Sequence, residues 1–270
     1  MNLAFSTLCC PDWPLDRIIA GAVENGVGGI DFRGIGAEID VTRLIGFTVQ
    51  LDHTLSILRE AKLQMPCLNT SIALLSPGDR CWEAMLDECH RHAHLAGRSQ
   101  TKFVRIFGGS LPKSHARPEA LLIAHRRLRQ IIKICQAHGC RPIVQTHDDW
   151  VRASAMNELL DGFGPEEVGV LWDIEHPFRA GESPRQTVAG LGGFLAHVHI
   201  KDCSVESEMS IPCLLGQGDL PMGECLLALK EAAYKGWFCL ETEKRWRPEA
   251  PAPEMSIPHF ARYMRSKAAP

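Results

Sequence analysis

The sequence predicts a single (β/α)8 barrel, and three observations support this fold class. Strand-like and helix-like segments alternate along the whole chain, and eight such pairs can be counted. The chain has 270 residues, an ordinary length for one barrel of this kind. Four of the strand-like segments end on a side chain that can bind a metal, as expected at the carboxyl end of parallel barrel strands. We therefore treat residues 1–270 as one domain.

The predicted elements follow one another in a regular order. Each strand is short and apolar, whereas each helix repeats apolar residues every three or four positions, as Leu15, Ile18, Ile19 and Ala22 do. The predicted strands cover 3–8, 28–33, 65–69, 102–107, 142–147, 168–173, 196–201 and 237–241. The predicted helices cover 14–25, 51–62, 79–95, 118–138, 153–160, a segment after Ser183-Pro184, and 223–234.

Several helix ends carry recognisable signals. Gly139 follows the longest predicted helix and is typical of the position just beyond a helix end. Ser183 and Pro184 form a typical helix start, because serine caps the first turn and proline fits the first helical position. Near the end of the chain, the proline-rich segment 245–258 is predicted to be irregular, and residues 260–267 are predicted to form a terminal helix.

The composition argues against several classes of protein. The chain is 45% hydrophobic and 23% charged with a formal net charge of −3, whereas nucleic-acid or membrane surfaces favour a basic excess. No apolar run approaches the ~20 residues of a membrane span, and the first residues lack the positive region of a signal peptide. The 11 cysteines are an odd number spread along the chain without a tight framework, which agrees with a reducing interior, and the lack of a C-x-x-C pair argues against a zinc-thiolate site. We expect a cytoplasmic protein without nucleic-acid or membrane partners, and a homo-oligomer is compatible with the sequence.

Parity within the strands separates core residues from candidate metal ligands, because successive side chains point to opposite faces. The candidate ligands lie opposite bulky residues: Gln145 opposes Val144, Asp173 opposes Trp172, His199 opposes Val198 and Ile200, and Glu241 opposes Leu240. A lone Asp or His of this kind is often a helix cap or a core residue. Four on consecutive strands predict a metal site. One imidazole and three oxygen donors suit Mn²⁺, Mg²⁺, Co²⁺ or Zn²⁺.

Further polar side chains share this inward parity. Buried charges must be paired or hydrogen-bonded, so a partly structural role is expected for one group, which consists of Asp31, Arg33, Arg105 and His197. A second group lies nearer the barrel mouth, is expected to contact substrate and consists of His147, His176 and Lys201. Two interpretations remain open for Arg33 and Arg105: they bind a phosphate or carboxylate bidentately, or they neutralise Asp31 and Glu175.

The motifs that carry these residues resemble a known family, the xylose-isomerase-like TIM barrels, which include sugar isomerases, epimerases and related lyases. The matching segments are GIDFR (29–33), VRIFGG (104–109), QTHDDW (145–150), WDIEHP (172–177), HVHIKD (197–202), GQGD (216–219) and LETEKRW (240–246). They span nearly the whole chain and are specific for the superfamily, but much less so for substrate. The resemblance implies that Asp173, His199 and Glu241 are metal ligands and that His176 contacts substrate.

Gln145 departs from the family pattern, in which the strand-five residue is usually Glu. An amide oxygen can still coordinate a cation, but the side chain is neutral and accepts no proton. Two-base epimerisation needs a proton acceptor on each face of the substrate carbon, and Glu241 is the remaining carboxylate. A metal would stabilise an enediolate, with Glu241, His147 or Lys201 as base or acid. This favours aldose–ketose isomerisation or dehydration over epimerisation.

Several functions remain open because one barrel hosts many chemistries. The leading hypothesis is a divalent-metal-dependent isomerase or epimerase acting on a sugar or sugar-like polyol. The alternatives are a dehydratase of a keto-cyclitol or polyol acid and a catalytically impaired carbohydrate-binding relative. A DNA-repair endonuclease is disfavoured, because its trinuclear site needs more His and Glu ligands and a basic surface. The predicted catalytic residues are Glu241, His147 and Lys201. The predicted substrate-binding residues are His176, Arg33, Arg105 and Glu175.

Overall fold

The computed structural model describes residues 1–206 and 209–268 and confirms the predicted fold class, a single (β/α)8 barrel whose eight strands belong to one sheet. The strands are β1 (Asn2–Ser6), β2 (Gly29–Asp31), β3 (Cys67–Ala73), β4 (Phe103–Phe107), β5 (Arg141–Gln145), β6 (Gly169–Asp173), β7 (Leu195–Ile200), β8 (Asp202–Glu206), β9 (Met209–Cys213) and β10 (Trp237–Leu240). The pair β8 and β9 forms a separate antiparallel hairpin that the sequence did not predict. Several strands end earlier than predicted, so Arg33, His147 and Glu241 lie just after their strands.

The helices match the predicted intervals except α6, which was not predicted, and α9, which begins earlier than predicted. They are α1 (Leu15–Glu24), α2 (Leu51–Glu60), α3 (Asp79–Ser99), α4 (Arg117–Ala137), α5 (Ala153–Leu159), α6 (Glu175–Arg179), α7 (Pro184–Leu191), α8 (Met222–Glu231) and α9 (Pro253–Ala268). The predicted start of α7 is confirmed, because the Ser183 hydroxyl accepts a hydrogen bond from Gln186 N. The terminal helix begins at Pro253, so the second part of the segment 245–258 is helical, with proline at a favourable first position.

The chain divides into two compact units, and the first comprises Met1–Pro66 and Val198–Pro270. Its strands pair in parallel in the order β2, β1, β10, β7. Beyond the edge of β2, the backbone of Ile30 donates to Gln64 O at 3.0 Å. Cys239 of β10 lies level with His199 of β7. Two residues further on, Glu241 and Lys201 therefore leave the two strands at the same level and on the same face.

The second unit comprises Cys67–His197, and its strands pair in parallel in the order β6, β5, β4, β3. One face of this sheet carries an apolar layer made of Cys67, Phe103, Ile143 and Leu171. Two residues later on the same strands come the polar side chains Asn69, Arg105, Gln145 and Asp173. The candidate ligands therefore share their face with an apolar layer that lies two residues earlier on the same strands. The ligand face is apolar first and polar only at the strand ends.

Two observations bear on the environment of the chain. Among the described residues, each helix is too short or too polar to cross a lipid bilayer. All 11 cysteines carry free thiols, and all but Cys81 and Cys213 are buried. The thiols therefore behave as small apolar core residues, as the sequence predicts.

Candidate metal and catalytic site

Two polar clusters lie at the carboxyl ends of strands, one in each unit. The β5–β6 cluster consists of Gln145, His147, Asp148, Asp173 and His176. The β7–β10 cluster consists of Asp31, His199, Lys201, Glu241 and Glu243. Taken together, the two clusters contain the four predicted metal ligands and the three predicted catalytic residues. The predicted binding residues Arg33, Arg105 and Glu175 lie beside them in sequence or on neighbouring strands.

Gln145 and Asp173 form the centre of the β5–β6 cluster. Gln145 is the last residue of β5 and Asp173 is the last residue of β6, and both are buried. The Gln145 side-chain Nε2 donates to Asp173 Oδ2 at 3.1 Å. The parity argument therefore placed these two side chains correctly on one face, close enough to act together.

The Asp173 carboxylate is anchored further by its surroundings. Its Oδ1 accepts from the backbone N of Glu175 at 3.2 Å, which ties the start of α6 to the end of β6. The backbone N of Asp173 donates to Thr146 Oγ1 at 3.0 Å. The bond from Glu175 N fixes the direction of the carboxylate, because a carboxylate oxygen accepts from a neighbouring N–H, and the bond to Thr146 holds the backbone at the end of β6.

His147, Asp148 and His176 form the outer part of this cluster. His147 Nδ1 lies 3.0 Å from Asp148 Oδ1, and the rings of His147 and His176 meet at 4.7 Å. Burial lowers the pKa of His147, but contact with Asp148 and the charges of Asp148 and Asp173 outweigh it, so the pKa is raised overall. The same contact with His147 lowers the pKa of Asp148. His147 is therefore suited to carry and donate a proton.

His176 links this outer part to Asp173. Its Nε2 lies 3.6 Å from Asp173 Oδ2, and a quarter of its side chain is exposed. The residue is thus placed between a buried carboxylate and solvent. This position agrees with the predicted substrate contact, which stays a prediction.

The predicted binding residues are held by several neighbours. The Arg105 guanidinium donates to Asn69 Oδ1 at 3.1 Å and to Thr70 O at 2.9 Å, and it stacks over the Phe107 ring at 4.0 Å. Glu175 Oε1 lies 3.5 Å from Arg179 Nη1. These contacts give both residues a structural role, and their substrate contacts stay predictions.

Arg33 belongs to the other unit and is also anchored. It is 5% exposed. Its guanidinium donates to Ile39 O at 3.0 Å, and its backbone N donates to Thr7 Oγ1 at 3.0 Å. These bonds hold the turn that follows β2, and its predicted role in substrate binding also stays a prediction.

His199 is central in the β7–β10 cluster. It is fully buried, with Nε2 at 3.7 Å from Asp31 Oδ2 and Nδ1 at 3.6 Å from Glu241 Oε1. Both distances exceed those of ordinary hydrogen bonds, so the imidazole lies between two carboxylates without being locked to either at hydrogen-bond length. Cys239 offers its sulfur within 4.8 Å of the Asp31 and His199 ligand atoms. Burial, reinforced by Asp31, raises the pKa of that thiol well above its usual value.

Lys201 adds a buried cation to the β7–β10 cluster. Its Nζ lies 2.9 Å from Glu241 Oε2 and 3.4 Å from Glu243 Oε1. Lys201 and Glu241 are 5% and 3% exposed. A buried ammonium of this kind needs such partners. The arrangement places an ammonium, which is a proton donor, next to the Glu241 carboxylate.

Asp202 organises the loops beyond β7. Its carboxylate accepts from Gly216 N at 2.7 Å, Cys203 N at 2.9 Å and Gly218 N at 3.2 Å. The segments 197–202 and 216–219, which both match motifs of the family, are thus joined by hydrogen bonds to Asp202. Both segments carry the family resemblance, but their contact was not predicted from the sequence.

The chemistry of the donor set is compatible with a bound metal ion. Gln145 Oε1 is buried and has no hydrogen-bond partner among the described residues, although a buried amide oxygen ordinarily has one. Such an oxygen is suited to a cation. A buried carboxylate on β6 and an imidazole next to a second carboxylate supply the other donor types that divalent cations use. The residues at these strand ends therefore fit a divalent cation.

Three functional candidates escaped the sequence analysis. Asp148 lies in contact with His147, Glu243 contacts Lys201, and the short helix α6 carries His176. Asp148 and Glu243 lie within the motifs that resemble the family, and the acidic residue beside a histidine or lysine was the available signal. Nothing in the periodicity of 175–179 distinguishes so short a helix from a loop.

Comparisons with known proteins agree with the fold. Inosose dehydratase 2 of Bacillus cereus is 28% identical over 134 residues, which cover 43% of this chain and 45% of that protein. The aligned part thus spans about half the length of the curated relatives that match. The crystal structure of the probable 3-DHS dehydratase AsbF from Bacillus anthracis has a TM-score of 0.81 at 17% identity, covering 98% of this chain and 99% of that chain.

A second similar structure contains a metal ion. The IolI protein with a binding zinc atom has a TM-score of 0.77 at 16% identity, covering 99% of this chain and 96% of that chain. Sugar epimerases are also among the similar structures. A family model described as xylose isomerase-like TIM barrel matches residues 19–266. The chain therefore belongs to the xylose isomerase-like TIM-barrel family, as its motifs predict.

Proposed function

We propose that the protein is a divalent-metal-dependent lyase that dehydrates a sugar-like keto-polyol. The observation that carries the proposal is Gln145: the strand-five side chain is an amide whose Nε2 is engaged with Asp173. It cannot accept a proton, so Glu241 is the carboxylate base of the proposed site. Dehydration needs one such base. The partial similarity to an inosose dehydratase supports this reaction class.

Gln145, Asp173, His199 and Glu241 are the proposed metal ligands. Each lies at or next to the carboxyl end of its strand, which is where barrels of this fold carry their active sites. Each is buried, and Gln145 Oε1 is the orphan oxygen that a cation would satisfy. When bound, a divalent cation supplies Lewis-acid polarisation of a substrate carbonyl.

The proton steps belong to the chain's own residues. Glu241 takes the proton from the carbon next to the carbonyl, and Lys201, 2.9 Å away, orients this carboxylate. His147 donates a proton to the hydroxyl on the next carbon, because its pKa is raised by Asp148 against the effect of burial. The proton and hydroxyl leave as water, and the new carbon–carbon double bond is conjugated with the carbonyl. His176, Arg33, Arg105 and Glu175 are the proposed binding residues.

Aldose–ketose isomerisation is the second candidate. It also needs one carboxylate, since a single base can return the proton to the adjacent carbon on the same face. The Lys201 ammonium 2.9 Å from Glu241 favours it, because it is placed to exchange protons with neighbouring oxygens. Two-base epimerisation stays disfavoured because of Gln145.

The experiment is a screen of the purified protein loaded with Mn²⁺. Inosose-like keto-polyols, ketoses and aldoses are incubated and followed by ultraviolet absorption and by sugar chromatography. A dehydratase produces a new conjugated carbonyl absorption, whereas an isomerase interconverts sugars without it. Glu241→Gln is expected to lower turnover by about 10²- to 10⁴-fold. The exposed Glu249, which pairs with Arg247, gives the matched control Glu249→Gln. Ligand-dependent melting shifts without any turnover would contradict the proposal and indicate a binding protein.

A further inference from the structure

Glu243 has a backbone conformation that L side chains rarely adopt. Its φ is +54°, in the left-handed region that favours glycine and tolerates asparagine and aspartate best. Glutamate has no such advantage. Residues held this way persist only where surrounding structure imposes the conformation, and they cluster at functional sites. Glu243 stands two residues after Glu241, the proposed base.

The surroundings of Glu243 impose the turn. Its carbonyl oxygen accepts from Trp246 N at 2.8 Å and from Arg247 N at 2.9 Å. The neighbouring Lys244 side chain donates to Ala250 O at 2.7 Å. The backbone is therefore tied down on the far side, and the Glu243 side chain is turned toward Lys201.

The charges around Lys201 explain why a second carboxylate is useful there. Lys201 Nζ lies 2.9 Å from Glu241 Oε2 and 3.4 Å from Glu243 Oε1. With Glu241 alone, a buried ammonium at this distance would neutralise the carboxylate and compete with a cation for its oxygens. With both carboxylates, the group of three carries a net charge of −1. The Glu243 side chain is 28% exposed, so it meets the buried ammonium from the solvent side.

We propose that Glu243 is a positioning residue, which draws the Lys201 ammonium partly away from Glu241 and leaves the Glu241 carboxylate available for a cation. The left-handed turn at 243 is retained because it aims this carboxylate at Lys201. This inference deepens the proposed function and rests on it for its effect on turnover. The contact between Glu243 and Lys201 can be tested without any activity.

The first test is a double-mutant cycle of Glu243→Gln and Lys201→Gln, measured on full-length protein by Mn²⁺ affinity and by melting temperature without metal. Glu243→Gln is expected to weaken Mn²⁺ binding about 10-fold, as loss of outer-shell partners commonly does. In the Lys201→Gln background the same change is expected to have little further effect, because the ammonium it controls is gone. Equal losses in both backgrounds would overturn the proposal, since Glu243 would then act independently of Lys201.

The second test concerns the backbone and uses a matched control. Ala233 has a φ of +52°, lies on the surface and is exposed. Asparagine and glutamine are introduced at both positions. At each position the asparagine variant (Glu243→Asn or Ala233→Asn) is expected to have a melting temperature about 2 °C above that of the glutamine variant (Glu243→Gln or Ala233→Gln), because asparagine adopts the left-handed region more readily. Glu243→Asn is expected to bind Mn²⁺ as weakly as Glu243→Gln despite its greater stability, whereas both Ala233 variants bind as the parent does.

The outcomes separate the positioning role from the proposed function. If the parent protein binds no divalent cation, the proposed function fails, and the melting-temperature cycle alone decides whether Glu243 and Lys201 are coupled. Absence of coupling in that cycle overturns the positioning role. If the parent binds Mn²⁺ and Glu243→Gln binds it as tightly, the positioning role is wrong while the metal site stands.

Discussion

The two polar clusters stabilise a buried carboxylate in different ways. In the β5–β6 cluster, the buried Asp173 carboxylate is served by neutral donors, the Gln145 amide and the Glu175 backbone N–H. In the β7–β10 cluster, the buried Glu241 carboxylate is served by a charged donor, Lys201, at 2.9 Å. Neutral donors orient a carboxylate and leave its charge in place, whereas an ammonium cancels it.

This difference predicts which kind of substitution disturbs each cluster most. The β5–β6 cluster depends on hydrogen-bond geometry, because a removed acceptor leaves buried N–H groups unpaired. The β7–β10 cluster depends on charge balance, because imidazole, ammonium and carboxylates lie together with little exposure. Substitutions that change charge at constant shape should therefore act differently in the two places.

The largest effect is expected from removing the carboxylate that the neutral donors serve. Asp173→Ala leaves Gln145 Nε2 and Glu175 N without their acceptor, which is expected to cost about 2–3 kcal/mol of unfolding free energy. It also removes a proposed metal ligand, so Mn²⁺ affinity is expected to fall by about 100-fold or more. Denaturant unfolding and calorimetric titration measure the two effects. Asp161→Ala, at an exposed aspartate, is the control, and a stable variant with parental affinity would refute this account of the cluster.

Next in size is a change of charge beside His199. Asp31→Asn keeps the shape of a buried side chain whose Oδ2 lies 3.7 Å from His199 Nε2. Loss of the carboxylate that orients a proposed ligand imidazole is expected to weaken Mn²⁺ binding by about 10-fold. Asp40→Asn is the matched control, because Asp40 is buried in the same unit but its carboxylate accepts a hydrogen bond from the backbone N of Thr42. Equal affinities for the two variants would show that Asp31 does not orient the ligand.

A change in the opposite direction sharpens the comparison. Gln145→Glu places a second carboxylate at the position 3.1 Å from Asp173 Oδ2. Without metal, repulsion between the two acids is expected to lower the unfolding free energy by about 1–3 kcal/mol at neutral pH. Mn²⁺ binding is expected to tighten by about 10-fold, because an anionic ligand replaces a neutral one. Melting curves with and without Mn²⁺ measure both effects, and unchanged affinity would count against Gln145 as a ligand.

The smallest expected effect concerns the outer edge of the β5–β6 cluster. The contact with His147 lowers the pKa of Asp148 from 3.8, so its stabilisation is present above that pH and is lost below it. The pKa of His147 is raised from 6.5, so its stabilisation is present below that pH and is lost as the pH rises through the higher value. The pair therefore stabilises the protein between about pH 4 and somewhat above pH 6.5.

Asp148→Asn tests this window. The half-exposed pair is expected to contribute about 0.5 kcal/mol at pH 5.5 and almost nothing at pH 9. Unfolding free energies of parent and variant at the two pH values measure the difference. A penalty of the same size at both would mean that Asp148 stabilises the protein through something other than its charge.

The alternation of side chains along each strand was the most informative feature of the sequence for the candidate site. It predicted that Gln145 and Asp173 share a face, and they are hydrogen-bonded. It also predicted that His199 and Glu241 share a face, and their polar atoms lie 3.6 Å apart. The period of two is a local property of any strand, so it is legible in the sequence without knowledge of the neighbours.

Other features depend on partners that are distant in sequence. Ile143 and Leu171 form one buried layer with Phe103 and Cys67, and no single strand discloses which residues of other strands pack against it. The hairpin of β8 and β9 and the turn held by Asp202 also escaped the analysis.

The amino-acid sequence by itself determined the barrel, the order of its elements and the donor type at each strand end, because periodicity and side-chain chemistry are local. Only the tertiary structure decided which charges meet: Lys201 with both Glu241 and Glu243, and Asp148 with His147. It also decided the left-handed backbone of Glu243. That conformation is unfavourable for an isolated glutamate, so only contacts made by the folded chain hold it in place.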